Sequence, residues 1–187
     1  MKKILLTVAM IASALSMAKG TFTIGGGAGT YVNVGKKVEL KQRFTPTINL
    51  NGSYLVPVYD INDKLSVIVG GGLDVKAQIP KITKEKDKKR VQLGFDVLPY
   101  GTAQLGYEVA PETKLRFGAK VGVGPRISYD SNEAAKKVKI TPVVPMGLVF
   151  GVNWKHLSVD LEAGGMITGF KPVNGAVTTG LSVGYSF

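Results

Sequence analysis

The chain has 187 residues, 24 glycines, no cysteine and a formal net charge of +11. Without thiols there are no disulfides, no thiolate metal sites and no lipid-anchored lipoprotein, and glycine without a G-X-Y period excludes collagen. No stretch approaches the roughly 18–20 continuous apolar residues that a membrane helix needs, which argues against an inner-membrane protein.

Residues 1–18 are predicted to be a cleaved export signal. Lys2 and Lys3 form a basic start, Ile4 to Met17 a mostly apolar stretch, and Ser16-Met17-Ala18 a small-x-small cleavage site. Cleavage after Ala18 would leave residues 19–187 as a single domain, with the net charge falling to +9 once Lys2 and Lys3 are gone.

From there on the dominant signal is period-two alternation. Eight strands are predicted, at residues 21–34, 44–59, 65–79, 94–109, 115–129, 140–154, 157–170 and 177–187. Each is long enough to cross a bilayer as a tilted strand of about 9–11 residues. The connections alternate in length. Residues 60–63, 111–113 and 155–156 are short turns, whereas 35–43, 80–93, 130–139 and 171–176 are longer and mostly charged. Short turns at one end and long loops at the other are the pattern of an outer-membrane barrel.

Parity points the same way. One face of the fifth strand carries Leu115, Phe117, Ala119, Val121, Val123, Pro125, Ile127 and Tyr129, with no charge among them. The strand charges (Asp74, Lys76, Asp96, Glu108, Arg116, Lys120, Arg126, Asp160 and Glu162) fall on the opposite face. A cation facing lipid near mid-membrane would cost about 2–4 kcal/mol, so one-sided placement is what a lipid-facing surface demands. Parity by itself also fits the mirror arrangement, a soluble sandwich with its apolar face inward. The signal, the turn asymmetry and the last strand favour the membrane. Most aromatic residues lie near strand ends, as two interfacial girdles would. Six prolines (Pro46, Pro57, Pro99, Pro125, Pro142 and Pro145) fall inside strands, where each removes a ladder donor, and bulges or broken pairing are expected there.

The last strand, V-T-T-G-L-S-V-G-Y-S-F, alternates apolar or β-branched residues with small ones and ends Tyr185-Ser186-Phe187. With this aromatic-x-aromatic ending, the chain resembles the small eight-stranded outer-membrane barrels, the family of OmpX and the OmpA membrane domain. The family commonly has glycine five residues before the final aromatic, where this chain has Ser182. The resemblance covers residues 19–187 as pattern. It implies an all-β, antiparallel up-and-down transmembrane barrel in the cell outer membrane. It further implies that Tyr185 and Phe187 form an assembly signal for the barrel assembly machinery. No peptidoglycan-binding domain is expected after Phe187.

Candidate sites divide between interior and loops. An eight-stranded barrel is only wide enough for side chains to fill it. Glu108, Arg116, Lys120, Asp160 and Glu162 are predicted to form interior ion pairs, with Tyr31, Tyr59 and Tyr100 helping to plug the barrel. Glu108 is expected to pair with Arg116 across the turn at 111–113. Asp160 and Glu162 point the same way and could hold a metal, although a salt-bridged interior is the better account, and no metal or cofactor is expected. The single histidine, His156, lies in a two-residue turn without a nucleophile beside it and is expected to be a solvated residue, not a catalytic base.

The loops carry the entire net charge of residues 19–187. Lys36, Lys37, Lys41 and Arg43 form one basic cluster, and Lys84, Lys86, Lys88, Lys89 and Arg90 the densest run. These nine residues are the candidate ligand-binding set for an anionic surface. No aromatic interleaves with the run at 81–90, so a base-stacking nucleic-acid site is not indicated. The expected function is non-enzymatic: a structural or surface-interaction barrel whose basic outer loops contact outer-membrane lipids, lipopolysaccharide phosphates or anionic host glycans. The alternative is a narrow channel or a carrier for small or hydrophobic solutes. A lipid-modifying enzyme ranks third.

Overall fold

In the computed structural model the described residues are 20–34, 44–85, 88–131, 138–169 and 174–187. The expected signal segment lies outside them, as do Lys36, Lys37, Lys41, Arg43 and Lys86. The strand segments are β1 (Thr21–Val34), β2 (Phe44–Asn62), β3 (Leu65–Glu85), β4 (Lys88–Ala110), β5 (Thr113–Gly122), β6 (Gly124–Asp130), β7 (Lys139–Trp154), β8 (Leu157–Thr168) and β9 (Asn174–Ser186). Every pairing is antiparallel, and β1 pairs with β9 to close the ring.

Segments β5 and β6 share one position, so the ring has eight places. Both segments bond β4 on one side and β7 on the other. Their register runs unbroken across the gap: Tyr100 faces Gly122 and Asp96 faces Arg126, while Val121 faces Met146 and Gly124 faces Val143. The predicted strand 115–129 is therefore a single strand interrupted at Val123. The cause is chemical. The Val123 N–H donates to the Pro99 carbonyl at 3.1 Å, but Pro99 has no N–H to return the bond.

Two further departures from the expected layout have local causes. Pro57 sits beside a register shift, with Val58 as the extra residue. That bulge turns Tyr59 to the outside, where it is 66% exposed, so Tyr59 does not plug the interior. The predicted loop at 80–93 is in large part a hairpin that continues the ladder. After a second shift between Gln78 and Lys81, Lys84 lies opposite Lys89 and Glu85 opposite Lys88.

The short turns all lie at the end that holds Gly20 and Phe187. In the first, Asn62 Oδ1 accepts from the N–H groups of Lys64 (3.0 Å) and Leu65 (2.9 Å). The others use left-handed backbone at Glu112 (φ 62°) and Lys155 (φ 52°), and the Lys155 N–H donates to the Glu112 carbonyl at 2.9 Å.

Exposure decides between the two arrangements that parity left open. The buried set includes Thr23, Thr47, Asp74, Lys76, Asp96, Gln104, Arg116 and Ser158, whereas Leu50, Phe117, Leu148, Phe150, Leu161 and Leu181 stand on the outside. A soluble sandwich would reverse this. The close packing of the wall also shows at Gly27, where a Cβ would lie 1.9 Å from the Leu181 carbonyl oxygen of the neighbouring strand.

Candidate functional site

The charges of the interior come from β3, β4, β5, β6 and β8 and meet in three layers. Nearest the short turns, Arg116 lies 2.6 Å from Asp160 through Nη2. Its guanidinium also donates to Ser158 Oγ (2.9 Å), Gln104 Oε1 (3.1 Å) and Asn153 Oδ1 (3.1 Å). The middle layer is a four-membered network. Lys120 bridges Asp74 (2.5 Å) and Glu162 (3.2 Å), and Lys76 lies within 3.8 Å of the same two carboxylates. The Lys120 ammonium also sits 4.0 Å from the centre of the Tyr100 ring. In the third layer Arg126 holds Asp96 through two bonds of 2.7 and 2.8 Å, and the Tyr31 hydroxyl donates to the same carboxylate at 2.7 Å.

Four cations thus meet four anions inside the barrel. Asp160 and Glu162, weighed above as metal ligands, are each bound to a cation instead. One expectation needs correcting. Glu108 does not reach Arg116; it is exposed and lies opposite Lys114 in the ladder. Register explains this, because Arg116 stands opposite Gly106, a residue without a side chain, and Asp160 approaches from β8 across β7. The partners that complete the Arg116 shell, Gln104, Asn153 and Ser158, are neutral, and a search for charge pairs alone passes over them.

This filling leaves a cavity of about 50 Å³ among Lys76, Tyr100, Lys120 and Glu162. At the short-turn mouth a vestibule of about 320 Å³ opens between Leu55, Ile68, Glu108, Glu112 and Lys114. His156 is also at this end. Its Nδ1 lies 2.9 Å from the Ser186 carbonyl and its ring stacks on Tyr185 with centroids 5.3 Å apart. Tyr185 and Phe187 meet edge to face at 4.9 Å, and Phe187 lies 6.2 Å from Phe22. The backbone N–H of Phe187 donates to the Phe22 carbonyl at 2.8 Å, tying the end of the chain to its first strand. His156 is exposed in its turn, as expected, with its ring nitrogen and one face held by these contacts.

At the opposite end, Lys84, Lys88, Lys89 and Arg90 belong to the extended β3–β4 hairpin. Lys139 opens β7 and is exposed.

No family model matches the chain, and no curated protein matches it in sequence. Solved structures do match. The crystal structure of Ail, the attachment invasion locus protein of Yersinia pestis, covers 90% of this chain and 99% of its own at 16% identity, with a TM-score of 0.54. The crystal structure of Neisserial surface protein A covers 88% of this chain and 95% of its own at 12% identity, also with a TM-score of 0.54. The fold is that of the small outer-membrane β-barrels. In such a barrel the exposed belt of Leu, Ile, Val and Phe faces hydrocarbon, and the three ion-pair layers lie across the interior.

Proposed function

We propose that this barrel is a non-enzymatic outer-membrane protein whose basic outer loops bind anionic groups at the membrane surface. Those groups are the phosphates of lipopolysaccharide or the sulfates and carboxylates of host glycans. Residues 1–18 serve as the export signal and 19–187 as the barrel domain. Lys36, Lys37, Lys41, Arg43, Lys84, Lys86, Lys88, Lys89 and Arg90 supply the contacts. Tyr185 and Phe187 form the signal read by the barrel assembly machinery.

One observation carries this reading: interior charge cancels, four cations against four anions, so the positive excess of the chain has to lie elsewhere. The names of the two similar barrels, one an attachment protein and one a surface protein, are in keeping with it. A conducting channel is not favoured, because the ion-pair layers fill the bore down to a cavity of about 50 Å³.

The test is retention of the refolded barrel on immobilised lipopolysaccharide and on heparin across a salt series. Charge reversal at Lys84, Lys86, Lys88, Lys89 and Arg90 is expected to remove most retention. Wild-type retention should fade as the screening length falls from about 10 Å at 0.1 M to about 3 Å at 1 M salt. Equal retention of both proteins would refute the assignment.

A further inference from the structure

Four of the in-strand prolines converge on one place in the wall. Continued through the gap at Val123, the registers that join β4, β5, β6 and β7 set Pro99 against Val123, Pro125 against Val97 and Pro145 against Gly122. Pro142 faces Pro125 directly. The bond from Val123 N–H to the Pro99 carbonyl marks that pair as a hydrogen-bonding one. Antiparallel ladders alternate, so Val97–Pro125 is the next bonding pair along the same edge, and Gly122 addresses β7, where it meets Pro145. In all three the proline cannot donate. The ladder therefore supplies no donor to the carbonyls of Val97, Gly122 and Val123.

Their depth makes this costly. Val123 is midway along its strand between Phe117 and Tyr129, well inside the lipid-facing belt, where an unsatisfied backbone group has no water to turn to. On the lumen side the nearby donors, Arg126 and the Tyr31 hydroxyl, are already bonded to Asp96. Tyr31, Leu98, Val143, Met166 and Ala176 form an apolar cluster behind the seam, with Leu98 and Val143 each at most 1% exposed. Outside the wall the situation differs. Directly below the seam, toward the short turns, Gly101, Ala103 and Ala119 floor a shallow, open apolar groove, walled by Val121, Met146 and Leu148. Gly101 pairs with Val121 and Ala103 with Ala119, so the groove begins one ladder step from Val123.

We propose that this groove and seam together bind a lipophilic molecule that carries a hydroxyl or amide donor partway along its hydrocarbon. The hydrocarbon lies in the groove, and its one donor bonds the carbonyl of either Val123 or Val97. The inference rests on the transmembrane fold and is independent of the loop charges.

The test is a titration of the barrel, refolded in micelles, followed by carbonyl carbon NMR. The probes are stearic acid and the same acid with a mid-chain hydroxyl. The hydroxylated probe is expected to shift the Val97 or the Val123 carbonyl saturably and to bind about fivefold tighter, the factor that one net hydrogen bond contributes. Restoring the ladder donors with Pro99→Val and Pro125→Val should erase the preference while both acids still bind. Filling the groove with Ala119→Leu should weaken both probes. If the proline variant fails to fold, the comparison of the two probes on wild type and Ala119→Leu still decides. Equal affinity of wild type for the two acids, or shifts confined to other carbonyls, would overturn the proposal.

Discussion

Replacing Asp160 by Asn removes the carboxylate from Arg116 and leaves a guanidinium whose side chain is only 4% exposed. Breaking a buried pair from one side typically costs about 3–5 kcal/mol, because the remaining charge stays desolvated. Here the lower end applies. Ser158, Gln104 and Asn153 continue to accept from Arg116, and Asp160 itself is 21% exposed. The expected loss is about 3 kcal/mol for Asp160→Asn. Arg116→Met should cost a similar amount, since it strands the carboxylate and three polar partners. Removing both charges relieves both desolvation terms, so the double variant should lose clearly less than the two single losses combined. Glu108→Gln, at an exposed position away from this shell, should fall within about 0.5 kcal/mol of wild type. The assay is urea unfolding in lipid vesicles, followed by fluorescence of the single tryptophan, Trp154. Additive losses at positions 116 and 160 would refute the pairing. So would a large loss at Glu108.

Gly27→Ala should destabilise the barrel or block its closure, because a Cβ would overlap the Leu181 carbonyl of β9 at 1.9 Å; heat-modified gel mobility of the refolded variant reads this directly. Glu112→Gly should raise stability by about 1 kcal/mol in the same urea assay. Glycine relieves the left-handed backbone at φ 62°, and the exposed pair with Lys155 that is lost contributes little. In planar bilayers the refolded barrel should show no steady unitary current, and sizeable currents would mean that the ion-pair layers leave an open path.

Much of the architecture could be read from alternation, since a strand's two faces differ only by parity and the residues of this chain sort cleanly by it. The first strand, the short turns and the separation of charges from the apolar belt all follow from that pattern. What alternation does not contain is which side is wet, and only the three-dimensional arrangement, with Asp96 and Asp74 inside and Leu50 and Phe117 outside, answers that. Bulges were legible as prolines but not as consequences. Pro57 signalled an irregularity, yet its effect on Tyr59 depends on where the extra residue falls. The Arg116 partner was missed for a related reason. Sequence neighbours across a turn favour Glu108, whereas a long side chain inside a narrow barrel can reach past an adjacent strand to Asp160. The extension of the β3–β4 hairpin was hidden because charged residues at 81–90 look like a loop by composition.

The central claim is a transmembrane barrel whose basic loops face outward and whose short turns face the periplasm. Because the chain has no cysteine, a single introduced thiol reports its own side of the membrane. In intact cells an impermeant maleimide should label Asp87→Cys, between β3 and β4 in the sequence. It should reach Asp63→Cys, in the first short turn, only after the outer membrane is permeabilised. Labelling of Asp63→Cys in intact cells, with Asp87→Cys protected, would contradict the account.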